Sequence, residues 1–176
     1  MALINTVKVE EAEGAVKEVY DQLMKTARTV PLPMQMMSAS PELLAVQVQS
    51  LGHYFRHPTL SFALLGHIRL AVAHNFSYEY CVEFNSGLLQ MLTEITDEQL
   101  DAVKADPSTA PLEENDKAML LFVIKCVSEP DSVQQGDVED LKKMGWTDKD
   151  IFEAAHHGAD MIRHGTLFKA FKMAEG

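Results

Sequence analysis

Cys81 sits in the most chemically dense stretch of the chain, Tyr78-Glu79-Tyr80-Cys81-Val82-Glu83-Phe84-Asn85. Tyr78, Cys81 and Asn85 are spaced i, i+3 and i+7, so on a helix they share one face. A thiol there can attack a peroxide or sense oxidation if its pKa is lowered and it is accessible. Glu79 and Glu83 flank it and would raise the pKa, whereas a protonated His74 would lower it. The alternative is a buried structural cysteine, since free cysteine is among the most buried residue types. The phenol of Tyr78 and the amide of Asn85 would give the same face hydrogen-bonding groups for a small-molecule pocket. A satisfied polar patch at a subunit contact would use them equally well.

The seven histidines are the second chemical feature. His67 and His74 lie seven apart on one helical pattern, and His157 and His164 repeat that spacing on another. Two helices offering imidazoles could build a transition-metal site, with Glu79 or Glu83 as a further ligand. An i, i+7 pair is separated by ~10 Å along the axis, so one ion does not readily take both members. Scattered core or surface histidines are the alternative. The sequence requires no cofactor, and a transition metal is the one these residues offer. Cys126 is far from Cys81 in sequence, and two cysteines make no disulfide framework. Glycine-rich phosphate loops, Ser/His/Asp signatures and Cys/His zinc spacings are absent.

These residues need helices to position them. Val9, Ala12, Val16, Val19, Tyr20, Leu23 and Ala27 recur at helical spacing, which predicts a first helix over residues 9 to 27. Pro31 and Pro33 end it, and Met34 to Met37 should form a short turn. Ser40-Pro41-Glu42 is a helix start, with a cap, a proline in the first turn and an acid beside it. That helix should stop before Pro58. Thr59 or Ser61 caps the next, through about His74, which is apolar nearly all round and therefore central. A helix over residues 78 to 91 follows, carrying the Cys81 face. Thr96-Asp97-Glu98-Gln99 fits a capping box for a helix to about Ala105. Further helices are expected over residues 113 to 127, 138 to 144 (stopped by Gly145) and 151 to 173 (capped by Thr147-Asp148-Lys149-Asp150). Gly158 and Gly165 fall inside the last one; close helix packing or a break near Gly165 would explain them. Acidic runs at Glu10 to Glu13 and Glu113 to Asp116 complement helix dipoles. No segment alternates with period two. The fold class is all-α, with about seven to nine helices.

The chain has 176 residues, enough for one domain spanning residues 1–176 with a sizeable core. Its net charge of −11 repels phosphate backbones and anionic lipid, so neither nucleic acid nor a membrane is an expected partner. Its longest apolar run, Ala118 to Ile124, is far below the ~20 residues that a bilayer crossing needs. No basic stretch followed by an apolar one marks a signal peptide, and a reducing cytoplasm is the expected location.

The order of short segments resembles the alkylhydroperoxidase-D / carboxymuconolactone decarboxylase family over most of the chain. The matching pieces are Glu11-Ala12-Glu13-Gly14 with Val19-Tyr20, Val30-Pro31 with Ser40-Pro41-Glu42-Leu43-Leu44, and Leu60-Ser61 with Leu70-Ala71-Val72-Ala73. Tyr80-Cys81-Val82 follows, then Asp137-Val138, Leu141, Gly145-Trp146 and Ile151. The resemblance implies a single all-α domain, a core hairpin over residues 64–72 and 81–92, a homo-oligomer, and a small-molecule ligand or substrate. The family's peroxidase branch carries a glutamate, a Cys-x-x-Cys pair and a histidine. These positions fall here on Gly66, Tyr78, Cys81 and Asn85. A dithiol cycle cannot run with Tyr78 in place of the first cysteine, and Asn85 cannot titrate as an acid or base would for decarboxylation. Three readings stay open. One is an oxidoreductase or decarboxylase-like enzyme, acting on a peroxide or small organic molecule through a site rebuilt around Tyr78, Cys81 and Asn85. Another is a non-catalytic relative that binds a small ligand. The last is a metal protein using His67, His74, His157 and His164.

Overall fold

Phe62–Asn75 is apolar on every side, and a helix of that kind must be enclosed by others. The computed structural model, which describes residues 2–175, shows how. Nine α-helices and no strand occur among the described residues: α1 (Gly14–Ala27), α2 (Leu32–Met37), α3 (Pro41–Phe55), α4 (Phe62–Asn75), α5 (Glu79–Leu92), α6 (Asp97–Ala105), α7 (Glu114–Ser128), α8 (Gln135–Lys143) and α9 (Asp148–Ala170). The class is all-α, as the periodicity requires. No helix among them is long and apolar enough to cross a membrane.

The caps explain most of the boundaries. Ser40 and Ser61 each accept a hydrogen bond from the backbone N–H three residues on, which settles the choice between Thr59 and Ser61. Thr96 and Gln99 close a full capping box. Gly145, at φ +101°, ends α8 in the left-handed region where a Cβ would be strained. Two expectations are corrected. The first helix does not begin at Val9: Val9–Glu11 is a separate 3₁₀ turn, the chain is extended at Ala12 and Glu13, and α1 starts at Gly14 with φ +53°. The apolar spacing runs across this break because it registers side-chain faces and not dihedral angles. Residues 34 to 37 belong to a helix, α2, in which Pro33 sits in the first turn where its missing N–H costs nothing.

The chain divides into two compact units, one running up to His57 and resuming at Thr166, the other Pro58–Gly165. In the first unit, Ala12, Val16, Tyr20, Leu23, Val30, Met34, Leu44 and Val48 form the core. Tyr20 donates to the Val7 carbonyl at 2.8 Å and Val7 N–H donates to Ser38 Oγ at 2.7 Å, so the arm before α1 is fixed by polar contacts.

In the second unit α4 is the central element, packed against α5, α6 and α7. Leu64, Ile68, Leu70, Val72 and Ala73 are fully buried along it. Trp146 Nε1 donates to the Asn115 carbonyl at 3.1 Å, tying the end of α8 to the start of α7. The start of α9 is a reciprocal cap. Thr147 N–H donates to Asp150 Oδ2 at 3.0 Å, and Asp150 N–H donates to Thr147 Oγ1 at 3.2 Å. The other Asp150 oxygen accepts from the Thr59 hydroxyl, just before α4. One buried carboxylate therefore sets the entry of α9 against the entry of α4. Replacing it leaves two hydroxyls and a backbone N–H without their charged acceptor. We predict that Asp150→Ala lowers the unfolding free energy by more than ~2 kcal/mol in a urea titration; an unchanged midpoint would show that the carboxylate does not couple the two helices.

Candidate functional site

The turn joining α4 to α5 shapes the hairpin. Tyr78 N–H donates to the Ala73 carbonyl at 2.9 Å and Ser77 N–H to the His74 carbonyl at 3.0 Å. With Ser77 at φ +55°, this is a Schellman closure in which serine occupies the position that glycine usually takes. Tyr78 is thus the N-cap of α5 and lies outside the helical face of Cys81 and Asn85. Its ring stacks on Phe76, centroids 6.1 Å apart. It also reaches α9, where its hydroxyl lies 3.5 Å from the Ile162 carbonyl. The ring covers Gly165 so closely that a Cβ there would stand 2.2 Å from Tyr78 Cδ2. α9 runs through Gly165 unbroken, so of the two explanations, close packing and a break, close approach accounts for the glycine. Gly158 has the same role toward α7, where a Cβ would meet Val123 Cγ1 at 2.5 Å.

Cys81 and Asn85 do come together. Asn85 Nδ2 donates to the Cys81 carbonyl at 2.7 Å, and Asn85 Oδ1 accepts from Arg69 Nε of α4 at 3.2 Å. Cys81 is 3% exposed. Burial raises its pKa, and the Arg69 charge opposes that rise. The groups that act on the thiol are not those the sequence suggested. Glu79 and Glu83 are exposed, and the cation acting on the thiol is Arg69 in place of the exposed His74. Gly66, where the family resemblance expects a glutamate, faces Leu89: a Cβ at Gly66 would lie 2.6 Å from Leu89 Cδ2. An aliphatic side chain fills the space that an acid would need.

The histidines separate into different environments. His67 is buried and its Nδ1 donates to the Ala63 carbonyl at 2.7 Å, which leaves Nε2 buried without a partner. Burial pushes its pKa below the ordinary value. His157 is buried on α9 and bonded to the Leu65 carbonyl; burial first, then the Arg69 charge, depress its pKa to about 3. His164 is buried beside Asp160, with Nδ1 3.4 Å from Oδ2. Arg163 contacts the other Asp160 oxygen through Nε at 2.9 Å and Nη2 at 2.5 Å. Burial would raise the Asp160 pKa, but His164 and Arg163 outweigh it and hold the carboxyl well below the usual range. His74 is exposed. Among the described residues, no group of three or more His, Cys, Asp or Glu with ligand atoms within 4.8 Å includes His67, His74, His157 or His164.

Sequence reasoning missed Arg69, and with it Asp160 and Arg163. The signal was present: Arg69 is the single arginine, lysine or carboxylate residue in α4, a helix whose apolar character already marked it as buried. A lone charge in such a helix must be solvated by protein groups or by a ligand.

Two solved structures share this arrangement of helices. One is a crystal structure of an alkylhydroperoxidase AhpD core, an uncharacterized peroxidase-related protein from Ralstonia eutropha JMP134. It matches with a TM-score of 0.83 and 18% identity, over 98% of this chain and 90% of that one. The other is an uncharacterized peroxidase-related protein from Silicibacter sp. TM1040, with a TM-score of 0.81 and 18% identity over the same shares of the two chains. The chain has the alkylhydroperoxidase-D-like helical fold. No family model matches the sequence, and no curated protein does.

Two outcomes follow from this geometry. Gly165→Ala gains up to ~1 kcal/mol of helix propensity but overpacks the Tyr78 ring at a cost of ~1–3 kcal/mol, so it should destabilise the protein. In a Tyr78→Ala background the same change should become neutral or stabilising. Chemical denaturation of the four-member cycle measures the inversion, and its absence would mean that the ring does not press on α9. The buried neutral His157 predicts acid sensitivity. Its folded pKa lies below the ordinary 6.5, so the unfolded chain binds the extra proton as pH falls from 6.5 toward about 3, and stability is lost in that window. The slope is at most ~1.4 kcal/mol per pH unit from this group. Urea titrations at pH 7 and pH 5 should show the loss, and His157→Gln should flatten part of it; equal slopes in both proteins would contradict the assignment.

Proposed function

We propose that the α4–α5 hairpin is a small-molecule site, rebuilt on an alkylhydroperoxidase-D-like fold so that its polar groups recognise a ligand instead of cycling a disulfide. The observation that carries this reading is the Arg69–Asn85 hydrogen bond at 3.2 Å. It places a guanidinium and a carboxamide, two recognition groups, where the resemblance expects a proton relay. Tyr78 at the first thiol position and Leu89 against Gly66 support it, because both occupy space that the peroxidase machinery requires. A thiol that is almost wholly buried and held protonated is a poor peroxide nucleophile.

One observation favours a second reading. The Arg69 charge acts on Cys81 in the direction that stabilises a thiolate. A Cys81 thiolate would attack the terminal peroxide oxygen, forming an S–O bond as the O–O bond breaks and the alkoxide leaves with a proton. An external dithiol would then reduce the sulfenic acid, releasing water and ending as a disulfide.

A single assay decides between the readings. The small-molecule reading predicts that the wild-type protein consumes cumene hydroperoxide in the presence of dithiothreitol no faster than Cys81→Ser. Turnover that depends on Cys81 would overturn it in favour of the single-thiol peroxidase.

A further inference from the structure

His53 and His57 lie four residues apart at the end of α3, in the first compact unit; the α4–α5 hairpin belongs to the second. The backbone turns both side chains to one face. His53 stands in the last turn of the helix. Beyond it the chain tightens before it leaves: Arg56 N–H donates to the His53 carbonyl at 3.2 Å and His57 N–H to the Tyr54 carbonyl at 3.1 Å, bonds that span three residues. Pro58 then prevents a further turn. The two imidazole rings meet edge to face, with centroids 5.5 Å apart and planes at 89°. A ring nitrogen of one lies within 4.8 Å of a ring nitrogen of the other. Two nitrogens held by one tetrahedral ion at ~2.0–2.1 Å each stand ~3.4 Å apart. Small side-chain rotations close that difference, and they are open to these rings, since His53 is exposed and His57 half-buried.

We propose that His53 and His57 chelate a divalent transition ion of the Zn²⁺ and Ni²⁺ class, with water in the remaining coordination positions. Two histidines at i and i+4 on one helix face are a pairing that zinc accepts. Imidazole nitrogen suits these borderline ions, whereas hard ions such as Mg²⁺ take oxygen ligands. The location favours a cation as well. The last turn of α3 carries the negative end of the helix dipole, and the net charge of −11 draws cations from solution. Arg56 is the opposing charge nearest in sequence. Its guanidinium folds back over Gly52, where a Cβ would meet Nη2 at 3.2 Å. Gly52 lies ~100° round the helix from His53, so the guanidinium is turned away from the imidazole face.

The test uses the full chain, purified without a histidine tag and titrated calorimetrically at about pH 8, where unperturbed imidazole is neutral and able to ligate. Ni²⁺ is the probe, because it favours imidazole over thiolate and so avoids Cys81 and Cys126. Ni²⁺ should bind saturably at one ion per chain, and Mg²⁺ should not. His53→Ala and His57→Ala should each weaken Ni²⁺ binding by ~10-fold or more, since even a group that only supports a metal ligand costs that much when removed. His74→Ala, which removes an exposed imidazole from α4, should leave the binding unchanged. Melting curves without metal show whether the variants fold. Should His57→Ala fail to fold, His53→Ala, at the exposed position, carries the test. No Ni²⁺ binding by the wild-type protein, binding that survives His53→Ala, an equal response to Mg²⁺, or an equal loss in His74→Ala would each overturn the proposal.

Discussion

The second compact unit is organised by the cost of placing a guanidinium in the helix that other helices enclose. α4 contributes buried leucine, isoleucine, valine and alanine on several faces, and Arg69 interrupts them. Taking a cation out of water costs several kcal/mol even after the protein relaxes. The neighbouring groups then take states that fit a positive interior. Asn85 turns its carbonyl oxygen to Nε. His157 stays neutral, because a second cation beside Arg69 would add repulsion to desolvation. Asp160 stays ionised although half-buried, held by His164 and Arg163, and its field reaches Arg69. Asparagine at position 85 also suits this field better than a basic side chain would.

The glycines of α9 express a second constraint, that of distance. Gly158 and Gly165 are two turns apart, and each lies against a bulky neighbour, Val123 and the ring of Tyr78. The helix gives up intrinsic propensity at both points to come close to α7 and to the turn after α4. The approach at Gly165 brings the Tyr78 ring and hydroxyl onto α9. The residue standing at the first thiol position of the resemblance is therefore a packing element between two parts of the unit, which explains why an aromatic can occupy it. Gly66 against Leu89 repeats the pattern within the hairpin itself. Two of the positions that would carry peroxide chemistry have been absorbed into the core.

Local chemistry is what made most of the fold legible in the sequence. Ser40, Ser61, Thr96, Thr147 and Gly145 marked helix ends because their side chains or dihedrals act on the next few residues only. The start of α1 was hidden because apolar residues can keep to one stripe across a 3₁₀ turn and a kink. The site was harder to read for a related reason. Cys81 and Asn85 were found through spacing on one helix, and their mutual contact lies within that helix. Arg69 is sixteen residues away, and only the packing of α4 on α5 brings it to them. Tyr78 was grouped with Cys81 and Asn85 by the same spacing rule. It left the group because a Schellman turn, invisible to periodicity and built on a serine, placed it at the cap.

Charge is distributed differently over the whole chain and around Cys81. The chain as a whole carries −11, so its long-range field repels anions. At physiological salt that field decays over ~8 Å, and within this distance the sign is set by local groups. Around Cys81 the charge that acts on the thiol is that of Arg69, while Cys81 and His157 are held neutral. Burial outweighs that field, so the thiol stays protonated and Cys81 is a poor nucleophile even with a guanidinium acting on it.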